Sequence, residues 1–120
     1  MKQRLVVMNG QRIVQKTPPG TESFGAATND VVGKANGLKP GVYNLYSSFP
    51  ADKQQSYSGQ LIHADKESVY QKTGVNIIKH NREDFDKVPD IGSVLTVSYT
   101  AQGRAETTAT ALVQGRGLKR

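Results

Sequence analysis

The chain has 120 residues with no cysteine and no tryptophan, which is enough for one domain with a modest core and excludes disulfides and cysteine-based zinc sites. No segment approaches the roughly 20 consecutive apolar residues of a membrane-spanning helix, so we expect no membrane partner. The first apolar run ends after four residues at Asn9-Gly10, which is too short for a signal peptide. The sequence therefore predicts a cytoplasmic protein.

The net charge of +6 is concentrated at the two ends of the sequence. Residues 1–20 contain four basic residues and no acid, namely Lys2, Arg4, Arg12 and Lys16. Residues 104–120 contain one acid, Glu106, and four basic residues that are candidate nucleic-acid contacts, namely Arg104, Arg116, Lys119 and Arg120. Basic ends can bind nucleic acid by neutralising phosphates, or they can simply keep a small domain in solution, and both interpretations stay open.

The first predicted element is a β-hairpin over residues 1–16. The sequence RLVVMNGQRIVQK has two β-prone runs around Asn9-Gly10, a dipeptide whose residues both tolerate the positive φ of a type I′ turn. We expect strands at about 3–8 and 11–16, part of the main domain or packed on it. Prolines, glycines and small polar residues then predict a loop-rich connection over 17–41.

The remaining elements are short strands separated by turns. Alternating apolar residues and turn signals predict strands in GVYNLYSS, at about 57–63 and 67–72, and in VNIIKH, SVLTVSYT and AETTATAL. We expect a β-barrel domain over 42–112 and a basic flexible tail over 113–120. The pattern predicts an all-β or β-rich fold, a small partly open barrel of SH3-like or OB-like kind, with about seven short strands and one short helical turn.

The stretch IIKHNREDFDKVPDIG, residues 77–92, places His80 beside basic and acidic residues. Asn81 suits the N-cap of a helical turn, acids suit its first positions, and Phe85 can pack back on His80. The chain has only two histidines, no cysteine, no Gly-x-Ser-x-Gly turn and no metal-ligand spacing. We therefore favour a structural turn and expect no catalytic residue, no cofactor, no metal and no enzyme activity.

Five side chains are left as candidate partner contacts. The helical turn leaves Lys79, His80 and Arg82 without a structural role, and strand alternation places Tyr70 and Lys72 on one face. The tyrosines could instead fill the core, or stack on the bases of a single-stranded nucleic acid.

A run of features over residues 57–104 resembles the KfrB domain of bacterial plasmids. These features are a Tyr-x-Gly strand opening, VYQ, an apolar pair before a basic residue and His80, the turn DFDKVP, Gly92, and a VSY strand closed by a glycine-containing turn. GLKPGVYNLYSSFPADK also resembles the region upstream of this domain. The resemblance implies a plasmid-borne, cytoplasmic, non-enzymatic protein of stable plasmid inheritance, and it supplies no catalytic residues.

The resemblance implies partner proteins from the same operon, one of them a DNA-binding coiled-coil protein. It also implies a link to conjugation, because related domains are attached to conjugation proteins. The sequence thus predicts a protein-interaction module that acts in plasmid maintenance or conjugation by docking a DNA-binding partner. The alternative is a small basic barrel that binds nucleic acid directly with weak sequence specificity. The sequence indicates no oligomeric state.

Overall fold

The chain divides into two compact units, and each has its own β-sheet. A computed structural model describes residues 2–21 and 23–109. Of these, the residues up to Ser48 belong to the N-terminal unit and those from Phe49 onward to the C-terminal unit. Within the described ranges, the first unit forms a four-stranded sheet and the second a six-stranded sheet.

The N-terminal unit begins with the predicted hairpin. Strands β1 (Gln3–Met8) and β2 (Gln11–Lys16) pair antiparallel along their full length. Asn9 and Gly10 join them with φ values of 52° and 74°, the left-handed geometry that a type I′ turn requires at both central residues. The prediction of a hairpin with these strand bounds is confirmed.

Two edge strands complete the N-terminal sheet. β3 (Thr28–Lys34) pairs with β2, and β4 (Gly41–Tyr43) pairs with β1, so the strand order is β3-β2-β1-β4. The segment 17–41, predicted as a loop-rich connection, therefore also contains strand β3. The first unit extends past residue 42, where the barrel domain was predicted to begin. β3 is longer than the short strand or turn that the stretch VVGKANGLKPG predicts, because nearly all of its residues are exposed and it lacks the alternation of a half-buried strand.

The buried side of the N-terminal sheet is aliphatic. Leu5, Val7 and Val14 alternate with less buried neighbours along β1 and β2, and Leu38 and Leu45 from the following loops are also buried. The period of two places Val6 and Ile13 on the opposite side of the sheet.

The C-terminal unit is a mostly antiparallel sheet with the strand order β10-β9-β6-β7-β8-β5, in which only β5 and β8 are parallel. Its strands are β5 (Phe49–Pro50), β6 (Tyr57–Ala64), β7 (Ser68–Thr73), β8 (Asn76–Asn81), β9 (Val94–Tyr99) and β10 (Ala105–Ala109). The central strand β6 thus pairs with β7, the next strand in sequence, and with β9, which follows much later.

Five buried residues from this sheet and the turn after β8 form the core of the C-terminal unit: Leu61, Val69, Phe85, Leu95 and Val97. At Gly59 the backbones of β6 and β7 come so close that a Cβ atom there would lie 1.9 Å from the carbonyl oxygen of Lys72. Glycine is required at this position by space alone, since no other residue lacks a Cβ atom.

The predicted β-rich fold is confirmed, and it takes the form of two sheets without a closed barrel. Ten strands, rather than about seven, lie within the described residues. The predicted helical turn is a 3-10 helix at Arg82–Asp84, and similar turns occur at Phe24–Ala26 and Leu45–Ser47. The predicted tail, 113–120, and the last residues of the predicted 42–112 domain lie outside the described residues.

Nowhere in the described ranges is a helix long and apolar enough to cross a membrane.

Candidate functional site

His80 lies at the centre of the C-terminal unit with its side chain fully buried. Strand alternation turns Ile78 and His80 inward and Lys79 outward, so the burial of His80 follows from its place in β8. The rings of Tyr57 and Phe85 meet the imidazole edge-on, with centroids 5.6 and 5.9 Å away. This environment is apolar around the ring and polar only at its two nitrogens.

Both ring nitrogens of His80 are hydrogen-bonded. Nδ1 lies 2.6 Å from the hydroxyl oxygen of Tyr99, and Nε2 lies 2.9 Å from Oε1 of Gln71. We call these three residues the His80 network. A buried polar group without a partner would cost about 1–3 kcal/mol, and here the two partners satisfy the imidazole completely.

Gln71 fixes the orientation of the His80 network. Its fully buried amide nitrogen lies 3.1, 3.3 and 3.0 Å from the backbone carbonyl oxygens of Tyr57, Gly59 and Leu95. The amide nitrogen therefore donates to the backbone, and Oε1 must face His80 as an acceptor. It follows that Nε2 of His80 carries the proton and donates it to Gln71, while Nδ1 accepts the hydroxyl hydrogen of Tyr99.

The electrostatics of the site keep the imidazole of His80 neutral. Burial lowers the pKa of His80 to about 4, although the negative charge of Asp84 opposes the shift. Burial raises the pKa of Tyr99 to about 12, with further upward contributions from Asp84 and Tyr57. Near neutral pH, His80 is therefore a neutral imidazole and Tyr99 a neutral phenol.

An ion pair lies beside the His80 network. The ammonium group of Lys53 is 2.9 Å from a carboxylate oxygen of the buried Asp84 and 5.7 Å from the ring centroid of Tyr99. Asp84 ends the 3-10 helix after β8, while Lys53 lies in the segment before β6. The pair connects these two loops beside the ring of Tyr99.

The His80 network joins four adjacent strands of the sheet, namely β6, β7, β8 and β9. A general base needs an imidazole nitrogen that can reach a substrate proton, whereas both nitrogens of His80 are engaged within the fold. The arrangement can therefore hold strands in register, and it does not present His80 to a substrate. Among the described residues, no group of three or more His, Asp or Glu side chains is arranged to hold a metal ion.

The predicted turn around residues 81–85 is correct in outline. Asn81 occupies the N-cap position with extended backbone, but its side chain makes no capping hydrogen bond. Phe85 packs against His80 as expected. Asp84 is buried against Lys53 rather than placed only to complement the helix dipole. His80 therefore belongs to the interior of the unit and not to the accessible charged residues around the turn.

The five predicted partner contacts separate into two groups. His80 and Tyr70 are buried, at 0% and 3% exposure, and cannot contact a partner in this structure. Tyr70 stacks on His63 in the paired strand β6, which explains its burial. The other three have solvent-accessible side chains, namely Lys72, Lys79 and Arg82.

The predicted nucleic-acid contacts can be assessed only at Arg104. Its guanidinium donates to the carbonyl oxygen of Glu83 at 2.7 Å and pairs with the carboxylate of Asp86 at 2.5 Å. This side chain ties the turn before β10 to the 3-10 helix after β8, so part of its charge is neutralised within the fold. Arg116, Lys119 and Arg120 lie outside the described residues.

The basic residues of the first twenty positions also make contacts within their own unit. Arg12 is buried and donates to the carbonyl oxygen of Lys34 at 2.7 Å. The guanidinium of Arg4 lies over the ring of Phe24 at 4.0 Å, and the ammonium of Lys2 lies over the ring of Tyr46 at 4.7 Å. These cations stabilise the unit as well as charging its surface.

Sequence reasoning missed Gln71, which orients the His80 network, and Lys53, which pairs with Asp84 beside that network. One feature of the sequence could have indicated that Gln71 is buried. It lies between Tyr70 and Lys72 in a predicted strand, where alternate residues face the core. Nothing local marks Lys53, because its partner Asp84 belongs to a distant loop.

Comparison with known proteins places this geometry in a family context. The family profile of the KfrB Domain matches residues 56–109, which contain every strand of the His80 network. The chain is also 32% identical over 105 residues to "Protein TraB" of Escherichia coli. That alignment covers 84% of this chain and 68% of the Escherichia coli protein, so it includes much of the N-terminal unit as well.

Proposed function

Because the chain belongs to the KfrB-domain family, we propose that it is a non-enzymatic protein-interaction module that docks a DNA-binding partner protein in plasmid maintenance or conjugation. The KfrB Domain match and the relative TraB support a plasmid-related role. The partner is expected to be plasmid-encoded, such as a DNA-binding coiled-coil protein. The cytoplasm remains the predicted location.

The burial of the His80 network is the observation that carries the non-enzymatic part of this proposal. The one histidine of the 77–92 stretch is neutral, fully buried and hydrogen-bonded on both sides. A group with these properties stabilises a fold and does not exchange protons with a bound molecule. The accessible side chains around it, such as Lys79 and Arg82, suit recognition of another molecule better than bond chemistry.

Co-purification with the products of neighbouring genes tests the docking proposal. The tagged full chain is co-expressed with each neighbouring gene product, and a stable complex is expected to co-elute in size-exclusion chromatography. The charge reversals Lys79→Glu and Arg82→Glu, made together, are expected to weaken the complex if this side of the C-terminal unit binds the partner. Failure of every neighbouring product to co-elute would remove the docking proposal.

The same purified proteins distinguish direct nucleic-acid binding from docking of a DNA-binding partner. Fluorescence anisotropy with labelled duplex and single-stranded DNA, repeated across a range of salt concentrations, measures the sequence-independent electrostatic binding of the chain alone. The docking proposal expects DNA binding by the complex and not by the isolated chain. Salt-sensitive binding by the isolated chain would instead favour the nucleic-acid alternative.

A further inference from the structure

We propose that the exposed face of the N-terminal sheet is a second docking surface, and that it binds an aliphatic segment with acidic flanks from a partner protein. The surface lies before the residues that match the KfrB Domain, so it goes beyond the function proposed above. It rests on that function only in that the partner is taken to be a protein.

A row of four β-branched side chains crosses this face from one edge of the sheet to the other. The strand registers place Val42 opposite Val6, Val6 opposite Ile13, and Ile13 opposite Val31. We call these four residues the aliphatic row. Val42 and Val31, on the two edge strands, are 54% and 60% exposed, while the two central residues are partly buried.

The aliphatic row lies on the side of the sheet opposite its buried residues. The opposite face already supplies the buried residues of the unit, Leu5, Val7 and Val14. An antiparallel sheet with one solvated face normally carries polar residues there, and a contiguous exposed apolar patch commonly marks an interaction site. Covering the row would remove apolar surface from water on all four strands at once, which favours binding.

The charges that flank the aliphatic row select the partner. On one side Arg4 lies opposite Gln15, and on the other side Lys34 lies opposite Gln11. Asp30 alternates with Val31 and so belongs to the other face, which leaves no acidic residue among the described members of this one. The whole unit has six basic and two acidic residues in residues 1–48. An occupant with acids at its ends therefore complements the surface.

A second copy of the chain fits this surface poorly. Two copies stacked face to face would bring basic flanks together, with no acidic residue among the described members of this face to neutralise them, so charge complementarity is lacking. A nucleic acid would meet basic side chains at the flanks, but the aliphatic row between them offers its bases neither a hydrogen bond nor an aromatic ring. A segment with aliphatic residues in its middle and acids at its ends can pack on the aliphatic row and pair with the basic residues that flank it.

A peptide probe tests the surface directly. The probe is a synthetic peptide in which valine alternates with threonine and glutamates flank both ends, titrated into the full ¹⁵N-labelled chain and followed by nuclear magnetic resonance. Amide shifts are expected in β1 to β4. Replacing Val31 and Val42 together by threonine, a residue of similar shape and strand preference, is expected to weaken binding about tenfold.

Matched controls separate this surface from general stickiness. Val75→Thr removes a valine that is 96% exposed in the turn between β7 and β8, and it should leave the affinity unchanged. A version of the peptide flanked by lysines should bind at least about tenfold more weakly. Equal binding of the two peptides, shifts confined to the C-terminal unit, or displacement by a single-stranded oligonucleotide would overturn the proposal.

The failure of this surface can be told apart from failure of the proposed function. If a neighbouring gene product co-elutes with the Val31→Thr/Val42→Thr variant as well as with the Val75→Thr variant, the docking function stands and this surface is refuted for it. If no gene product co-elutes with any form, the docking function fails, and the peptide titration still decides whether the aliphatic row binds its predicted ligand class.

Discussion

In the C-terminal unit polar side chains lie inside the packed face of the sheet, whereas in the N-terminal unit aliphatic side chains lie on the exposed face. In the C-terminal unit, buried hydrogen bonds hold four strands in one register. In the N-terminal unit, exposed aliphatic side chains leave apolar surface in water and do not add to the core. Gln71 and His80 therefore stabilise the architecture of their unit, whereas Val31 and Val42 are the residues to which we assign the proposed contact.

The largest effect is expected from Gly59→Ala in the C-terminal unit. The new Cβ atom would lie 1.9 Å from the carbonyl oxygen of Lys72, so two paired strands must separate. We expect a loss of at least about 3 kcal/mol in the free energy of unfolding, measured by urea denaturation. Gly25→Ala in the N-terminal unit is the matched control, since its nearest contact at 3.5 Å is an ordinary one, and it should cost less than about 1 kcal/mol. Similar losses for both variants would contradict the predicted close approach.

Acidification is expected to destabilise the protein through His80. Its pKa is about 4 in the folded state and about 6.5 when unfolded, so the unfolded chain binds the proton first as the pH falls. The stability from neutral His80 is fully present above pH 6.5 and declines by about 3 kcal/mol as the pH falls to 4. Urea denaturation across this range measures the slope. In His80→Gln, which cannot titrate, this part of the slope should vanish, and an unchanged slope would show that His80 is not its source.

A smaller loss is expected from Tyr99→Phe, which keeps the ring and removes only the hydroxyl group. Nδ1 of His80 then loses its 2.6 Å donor while remaining buried. We expect a cost of about 1–2 kcal/mol in urea denaturation. Tyr46→Phe removes a hydroxyl from a half-exposed ring of the N-terminal unit, and a change within about 0.5 kcal/mol is expected there. Equal effects at the two tyrosines would weaken the distinction between the units.

The smallest effect on stability is expected from Val31→Thr on the aliphatic row. Its side chain is 60% exposed, so a hydroxyl there meets water, and the free energy of unfolding should change by less than about 0.5 kcal/mol. Val97→Thr makes the same chemical change at a fully buried position of the other sheet and should cost about 1–3 kcal/mol. A large loss from Val31→Thr would mean that the row supports the fold and would remove the reason for assigning it to binding.

Local features of the sequence were enough to predict the local parts of the fold. Asn9-Gly10 and the alternating residues on either side determine the first hairpin within sixteen residues. The helical turn after β8 and the packing of Phe85 on His80 also depend on neighbours in sequence. In each case the interacting groups are only a few residues apart, so pattern and propensity report on the contact directly.

The candidate site could not be predicted in this way, because its contacts depend on strand order. Gln71 reaches Leu95, and His80 reaches Tyr99, between strands that belong to one sheet but are not neighbours in it. The sequence alone left His80 as a candidate contact residue, since nothing near it in sequence shows that both ring nitrogens are occupied. The full length of β3 could not be predicted for a different reason, because its exposed residues do not alternate with buried ones.

The position of β9 in the sheet has a consequence for the time course of folding. Strands β6, β7 and β8 follow one another through short turns, so their pairing closes small loops at little entropic cost. β9 must return to β6 across a much longer stretch, and the contacting hydroxyls of Ser58 and Thr96 are 38 residues apart in sequence. Contacts of such separation generally slow folding. We therefore expect docking of β9 to follow formation of the β6–β7–β8 meander, with the amide of Gln71 gaining its last acceptor only at that step.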